Sequence, residues 1–333
     1  MHASSQNFLF LSLLMTGIIT SISAPSWFMA WLGLELNLMS FIPLITSKLN
    51  RFPSEAALKY FLVQALGSAL IIISAPILPN IKSFSLLILM ALLLKLGAAP
   101  FHFWFPPIME GLNWFQCIIL MTIQKIAPML LISNMTSETK AQNLILISAL
   151  LSAVLGAVGG LNQTSLRKIL AFSSINHLSW MLVALVMSNH SWIMYFTFYT
   201  MISTSISLYF NSHQFYFFSH LFSKSSSLSS YIITALAFLS LGGLPPFSGF
   251  IPKWIIIEMM TYNNMYFSLF ILIMSALITL YYYLRLSTVL LLLSTNKRKL
   301  LTTSTFLTPI TTTAFILSLN LFLLLTPSLF TFL

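Results

Sequence analysis

LLLKLGAAPFHFWFPP, residues 92–107, opens as an apolar helix and then contradicts itself. Lys95 stands inside the run, and Gly97, Pro100, Pro106 and Pro107 interrupt it. A charge at the centre of a membrane helix costs about 2.5–3.5 kcal/mol on insertion scales, and proline removes a helical hydrogen bond. A broken helix also bares backbone N–H and C=O groups that lipid cannot satisfy. Water can satisfy them. A lysine beside such a break therefore points to a hydrated interior, with the break bringing the water and the lysine holding the proton.

The rest of the chain supplies the membrane context. Its 333 residues are 58% hydrophobic and only 6% charged, with a mean hydropathy of +0.94, whereas soluble domains carry about 25% charged residues. A run of ~20 apolar residues spans a bilayer, and the apolar runs here do not alternate with the period of two that a transmembrane barrel needs. The predicted class is an all-α polytopic membrane protein. The net charge of +10 comes from scattered basic residues whose one dense cluster is Lys297, Arg298 and Lys299. That pattern serves topology rather than nucleic-acid binding. The single cysteine, Cys117, excludes an internal disulfide, a cysteine-ligated zinc and an iron–sulfur centre within the chain. No glycine-rich loop follows a strand, so no nucleotide, metal or other cofactor site is expected here. The N-terminal MHASSQNFLFLSLLMTG lacks the Arg-rich pattern of a transit peptide, and insertion by its own first helix is the expectation.

Polar gaps divide the chain into about eleven predicted spans, near 8–24, 26–47, 54–75, 83–110, 112–132, 142–160, 165–187, 191–211, 229–262, 266–292 and 304–331. Numbering the gaps from the N-terminus, even gaps hold eight basic residues (Lys48, Arg51, Arg167, Lys168, Lys224, Lys297, Arg298 and Lys299). Odd gaps hold only Lys82 and Lys140. This bias predicts an N-terminus on the positive-inside face and a C-terminus on the opposite one. Spans four and nine are too long for a simple crossing, and both are discontinuous, at LGAAPF (96–101) and LGGLPPF (241–247). Five spans apart, they run in opposite directions. Paired interruptions of this kind predict an inverted repeat with the working site at the breaks. The two five-helix repeats would occupy 8–132 and 142–292, with a C-terminal helix at 304–331 appended.

With Arg167 and Lys168, at the very start of span seven, counted in the gap before it, nine of the twenty charged side chains fall inside predicted spans. Glu55 and Lys59, four apart, can pair on one helix face. Glu110 closes span four, and Arg285 can snorkel outward. Glu35, Lys95 and Lys125 each sit near mid-span, and Lys253 lies just past the second break. Ionisable groups at such depth face a cavity or a bundle interior and mark ion or proton paths. The competing account is a static glutamate–lysine pair that fixes packing, which one carboxylate against three lysines fits poorly. Burial disfavours the charged form of a lysine and a nearby carboxylate favours it. A glutamate whose distance changes can therefore switch a lysine between holding and releasing a proton. Glu35 is the candidate modulator of Lys95. Which carboxylate serves Lys253 stays open, because Glu258, five residues on, need not share its face. Repeat arithmetic sets His177, in SSINHLSW, where span two carries Glu35. Histidine shuttles protons near neutrality, and the alternative is a structural histidine bonded to a neighbouring helix. His102, inside the first break, carries the same two readings.

Taken together, WLGLELNLMSFIPL (31–44), EAALKYFLVQA (55–65), LLLKLGAAPFHFWFPPIMEGL (92–112), QKIAP (124–128), GGLNQTSLRKILAFSSINHLSWM (159–181) and LGGLPPFSGFIPKW (241–254) resemble the NADH–ubiquinone oxidoreductase chain 2 family. Its members are antiporter-like, mitochondrially encoded subunits of respiratory complex I in animals. The resemblance implies two inverted five-helix repeats and a proton relay through Glu35, Lys95, Lys125 and Lys253. His177 would be a linking residue of that relay. It implies that NADH, FMN, iron–sulfur clusters and ubiquinone are handled by other subunits, and that the partners are other membrane-arm subunits, including further antiporter-like chains, and membrane lipids. It also implies residence in the mitochondrial inner membrane, with the N-terminus in the matrix and the C-terminus in the intermembrane space. From the residues alone, a free-standing cation/proton antiporter and a non-transporting structural subunit are the competing functions. The absence of Asp, with one mid-membrane carboxylate, favours protons over a hard cation that wants several oxygen ligands.

Overall fold

A computed structural model describes residues 5–46, 50–77, 84–223, 228–245 and 247–293. Among them the regular structure is helical, apart from one isolated bridge between Ser165 and Phe217. The chain divides into two compact units, Met1–Ser152 and Ala153–Leu333. The first contains α1 (Ser5–Ile22), α2 (Trp27–Thr46), α3 (Arg51–Ser74), α4 (Phe84–Leu96), a 3-10 turn (Phe101–Trp104), α5 (Phe105–Gly111), α6 (Trp114–Met121) and α7 (Ile123–Ser133). Helix α8 (Thr139–Gly160) carries the division. The second unit continues with α9 (Leu166–Met187), α10 (Asn189–His213), α11 (His220–Ser223), α12 (Leu228–Gly242), α13 (Phe250–Tyr262) and α14 (Tyr266–Leu293).

Among the described residues, eight helical stretches are long and apolar enough to cross a membrane: 5–22, 27–46, 51–74, 84–111, 114–133, 139–160, 166–187 and 266–292. Three of the eleven predicted spans are not in that set, two of them for a physical reason. Hydroxyl and amide side chains dilute α10. The break leaves α12 and α13 at 15 and 13 residues, each too short to cross alone. The predicted C-terminal helix, 304–331, lies outside the described residues.

The helices are inside-out relative to those of a soluble protein. On α3, Tyr60, Gln64, Gly67 and Ser68 are buried, while Leu58, Leu62 and Leu66 are more than 60% exposed. Lipid is as apolar as leucine, so packing between helices is driven by close contact and polar bonds, and small residues collect where backbones meet. In the first unit, a Cβ on Gly33 would stand 2.5 Å from the Ser21 backbone nitrogen and 2.8 Å from the Gly17 carbonyl oxygen. One on Gly17 would stand 2.9 Å from the Asn37 nitrogen. The second unit repeats the register: Gly156 on α8 meets the Phe172 carbonyl and, at 2.7 Å, the Asn176 nitrogen of α9. In both units a glycine faces a carbonyl and the amide four residues further along the next helix.

At Gly33 the obstructing atoms are backbone, so neither helix can yield without separating. Overpacking costs about 1–3 kcal/mol. Gly33→Val is therefore expected to lower the amount of folded chain in the membrane several-fold, and Leu62→Val on the exposed face to leave it unchanged; quantitative immunoblotting of washed membranes measures both.

Candidate functional site

The first break is built by the backbone. Helix α4 ends because Gly97 adopts φ +72°, a conformation that glycine alone enters cheaply. The Gly97 N–H then donates to Leu94 O (3.1 Å) and the Ala98 N–H to Leu93 O (3.1 Å), which is the hydrogen-bond pattern of a Schellman cap. Two carbonyls of the final turn are taken by side chains. Trp104 Nε1 donates to Leu94 O at 3.0 Å, and Gln64 Nε2 donates to Lys95 O at 3.3 Å. Protein thus does part of the work that the sequence reading assigned to water. Lys95, in the last turn of α4, is buried, and its positive charge suits the negative end of the helix dipole.

Lys125 reaches the same place from a second break, which no glycine or proline announces. Span five is interrupted at Thr122 (φ −115°, ψ −78°), between α6 and α7. Lys125 follows in the first turn of α7, buried, with Nζ 5.5 Å from the centroid of the Phe105 ring. Pro128 removes the N–H that would bond the Gln124 carbonyl. Lys95 and Lys125 line one cavity of about 20 Å³ together with Asn37, Tyr60, Gln64 and Gln124, enough for a single water. Its polar wall is a closed network. Asn37 Nδ2 donates to Gln124 Oε1 and Gln124 Nε2 donates to Asn37 Oδ1, both at 2.9 Å, while the Tyr60 hydroxyl donates to Gln124 Oε1 at 3.2 Å.

Glu35 does not line this cavity. It is half-buried on α2, within electrostatic reach of Lys95 and Tyr60, and its buried Oε2 accepts no hydrogen bond. No acidic residue is among the described lining residues. His102 is buried in the 3-10 turn beside Phe103, with ring centroids 4.2 Å apart, and is absent from the cavity wall.

In the second unit the break at 243 repeats the cap. Gly243 has φ +75°, its N–H donates to Ser240 O (3.0 Å), and the Leu244 N–H donates to Leu239 O (3.5 Å). Lys253, in the first turn of α13, folds back over it and donates from Nζ to Gly242 O at 2.9 Å. The Trp180 ring lies 5.9 Å from the same ammonium. A backbone carbonyl and a π-face therefore hold this cation. Glu258 is exposed while Lys253 is buried, so the two occupy different faces of α13.

His177 is also buried. Its Nδ1 is 2.8 Å from the Tyr195 hydroxyl on α10, and its ring centroid is 5.1 Å from that of Tyr199. This is the inter-helix bond expected of a structural histidine, and a shuttling histidine would use the same bond to fix its tautomer. A void of about 10 Å³ touches His177, Tyr195, Tyr199, Ser240 and Pro252, the neighbour of Lys253.

The simpler charges behave as their spacing predicts. Lys59 and Glu55 pair at 2.7 Å on the exposed face of α3. Arg285 is exposed, with Nη1 3.4 Å from Leu161 O and its guanidinium over Phe218. Among the described residues no group of three or more His, Cys, Asp or Glu side chains is arranged to hold a metal. Attention to charge alone missed the neutral groups: Asn37, Tyr60, Gln64 and Gln124 in one unit, Trp180, Tyr195 and Tyr199 in the other. The available signal was an amide or phenol inside an apolar span, above all Gln124 directly before Lys125.

Gly243 and Gly242 make a controlled pair. A Cβ on Gly243 would stand 2.9 Å from Lys253 Cδ at a left-handed φ, whereas one on Gly242 would find its nearest neighbour at 3.6 Å. The left-handed conformation costs a residue with a Cβ about 1–2 kcal/mol. Gly243→Ala is thus expected to lower the thermal transition in detergent, and Gly242→Ala to leave it in place.

Comparison with known proteins agrees with this architecture. The family model for the transmembrane region of NADH:quinone oxidoreductases and Mrp antiporters matches residues 24–279. The chain is 48% identical over 287 residues to NADH-ubiquinone oxidoreductase chain 2 of Anopheles gambiae, covering 82% of each protein. It is 46% identical over 286 residues to that of Aedes aegypti, again covering 82% of each. Its fold matches a chain of respiratory complex I from Thermus thermophilus, solved with bound aureothin, at a TM-score of 0.83 and 22% identity, over 96% of this chain and 77% of the other. A helical membrane fold with two capped breaks, matched over most of its length by these relatives, means that the chain belongs to the NADH-ubiquinone oxidoreductase chain 2 family.

Proposed function

We propose that the chain is a proton-translocating, antiporter-like core subunit of the membrane arm of respiratory complex I. Lys95, Lys125 and Lys253 carry the proton, Glu35 modulates Lys95, and His177 links the path in the second unit. The observation that carries this reading is the pair Lys95 and Lys125, buried on one water-sized cavity that no carboxylate lines. A static ion pair would need the carboxylate there. A relay needs a water between two groups that can exchange its proton.

The wider architecture of this reading is eleven spans in the mitochondrial inner membrane. Two inverted five-helix repeats occupy 8–132 and 142–292, followed by a helix at 304–331. The matching caps at Gly97 and Gly243 support the repeat. The basic bias of alternate gaps supports an N-terminus in the matrix and a C-terminus in the intermembrane space. Electron transfer from NADH through FMN and iron–sulfur clusters to ubiquinone takes place on other subunits and drives the relay from outside this chain. Its partners are the neighbouring membrane-arm subunits and lipid.

Alanine at Lys95, Lys125 or Lys253 is expected to preserve assembly on native gels and to lower the number of protons moved per NADH oxidised in sealed vesicles. Normal pumping by all three variants would remove the lysines from the mechanism. For the orientation, buried Cys117 provides a quiet background. A membrane-impermeant thiol reagent is expected to label Asn162→Cys from the matrix side and Ser137→Cys from the opposite side; the reverse pattern would invert the topology.

A further inference from the structure

The Asn37–Gln124 pair has features that a packing clasp does not need. It joins residues 87 apart in the chain, tying α2 to α7, and both amides are buried. Gln124 Oε1 receives two donors, Asn37 Nδ2 and the Tyr60 hydroxyl, which fills both its lone pairs. With the amides facing this way, Tyr60 donates to Gln124 and can still accept, while each amide keeps a second N–H. The second unit holds the simpler case for contrast. There Asn176 ties α9 to α14 through Ser275 (3.1 Å) and Thr279 (3.4 Å), with one hydroxyl on each side of the amide. Clasping a helix takes no glutamine and no tyrosine.

We infer that Asn37, Gln124 and Tyr60 are positioning residues that hold and orient the water between Lys95 and Lys125, so that proton exchange between the two lysines runs through it. This rests on the relay reading given above. A buried water needs two to four polar partners, and Asn37, Tyr60, Gln124, Lys95 and Lys125 all line this cavity. Amides and a phenol that has donated its proton neither take up nor release one readily. They set the water's orientation without becoming a trap for the charge, which a carboxylate in the same position would be.

The test uses assembled complex in sealed vesicles, with NADH oxidation and proton uptake read together. The double variant Asn37→Leu/Gln124→Leu removes both amides together, so neither is orphaned by the other, and only the Tyr60 hydroxyl loses its acceptor. It is expected to assemble, oxidise NADH and lose as much pumping as Lys125→Ala measured alongside. The exchanged pair Asn37→Gln/Gln124→Asn is expected to recover pumping, because it restores two facing amides. Normal pumping by the double leucine variant, or its loss without recovery in the exchanged pair, would overturn the inference while leaving the relay intact. Normal pumping by Lys125→Ala would remove the relay and this inference together. If the double variant does not assemble, Tyr60→Phe decides. It deletes one hydroxyl and keeps the ring that packs on Phe41 and Trp104 at 5.2 and 6.1 Å. A reduced proton-to-NADH ratio supports the positioning role, and an unchanged one ends it.

Discussion

A helix that stops inside a bilayer must find partners for the carbonyls of its last turn, because lipid offers none. The helices that end at Gly97 and at Gly243 meet that requirement with a glycine in the left-handed conformation and the same pair of backbone bonds. The remaining groups are met differently. At the first break neutral side chains, Gln64 and Trp104, take the carbonyls, and Lys95 is left facing a cavity. At the break after Gly242 the lysine itself takes the carbonyl, through the bond from Lys253 Nζ to Gly242 O. One backbone constraint thus yields a cation facing space in one unit and a cation engaged with peptide oxygen in the other.

That difference bears on how the two lysines could act. A lysine bound to a backbone carbonyl must give up that bond before it swings elsewhere. A lysine on a water-sized cavity needs only a change in the water or in the field from Glu35. Glu35, the proposed modulator, is half-buried, has one oxygen free of hydrogen bonds, and is within reach of Lys95 without lining its cavity. Control by field leaves the lysine's packing against Gly67, where a Cβ would stand 3.1 Å from Lys95 Cγ, undisturbed.

Much of this architecture was legible in the sequence, and the rest was not for identifiable reasons. Gly97 and Gly243 announce their breaks because few other residues adopt that backbone, and a lysine in an apolar run announces burial because its cost at depth demands a reason. The interruption at Thr122 has no such marker. The Thr122 hydroxyl donates back to Ile118 O at 2.6 Å, a bond that often bends helices, but a threonine in an apolar run does not by itself announce a break. The amide network around Lys125 was hidden in another way. Asn37, Gln64 and Gln124 are ordinary as single residues, and only the fold brings positions 37, 60, 64 and 124 to one wall. Charge patterning found the ions, and tertiary structure was needed to find the neutral groups beside them. Glu35 marks the boundary between the two: its depth was readable, but its place just off the cavity was not.

The central claim is that Lys125 acts by releasing a proton and not merely by bearing charge. Arginine retains the positive charge and does not deprotonate in proteins, so Lys125→Arg separates the two roles. In assembled complex reconstituted into sealed vesicles, the account predicts that Lys125→Arg oxidises NADH but loses proton translocation. Translocation at the unmodified ratio of protons to NADH would contradict it, because a fixed charge would then be sufficient.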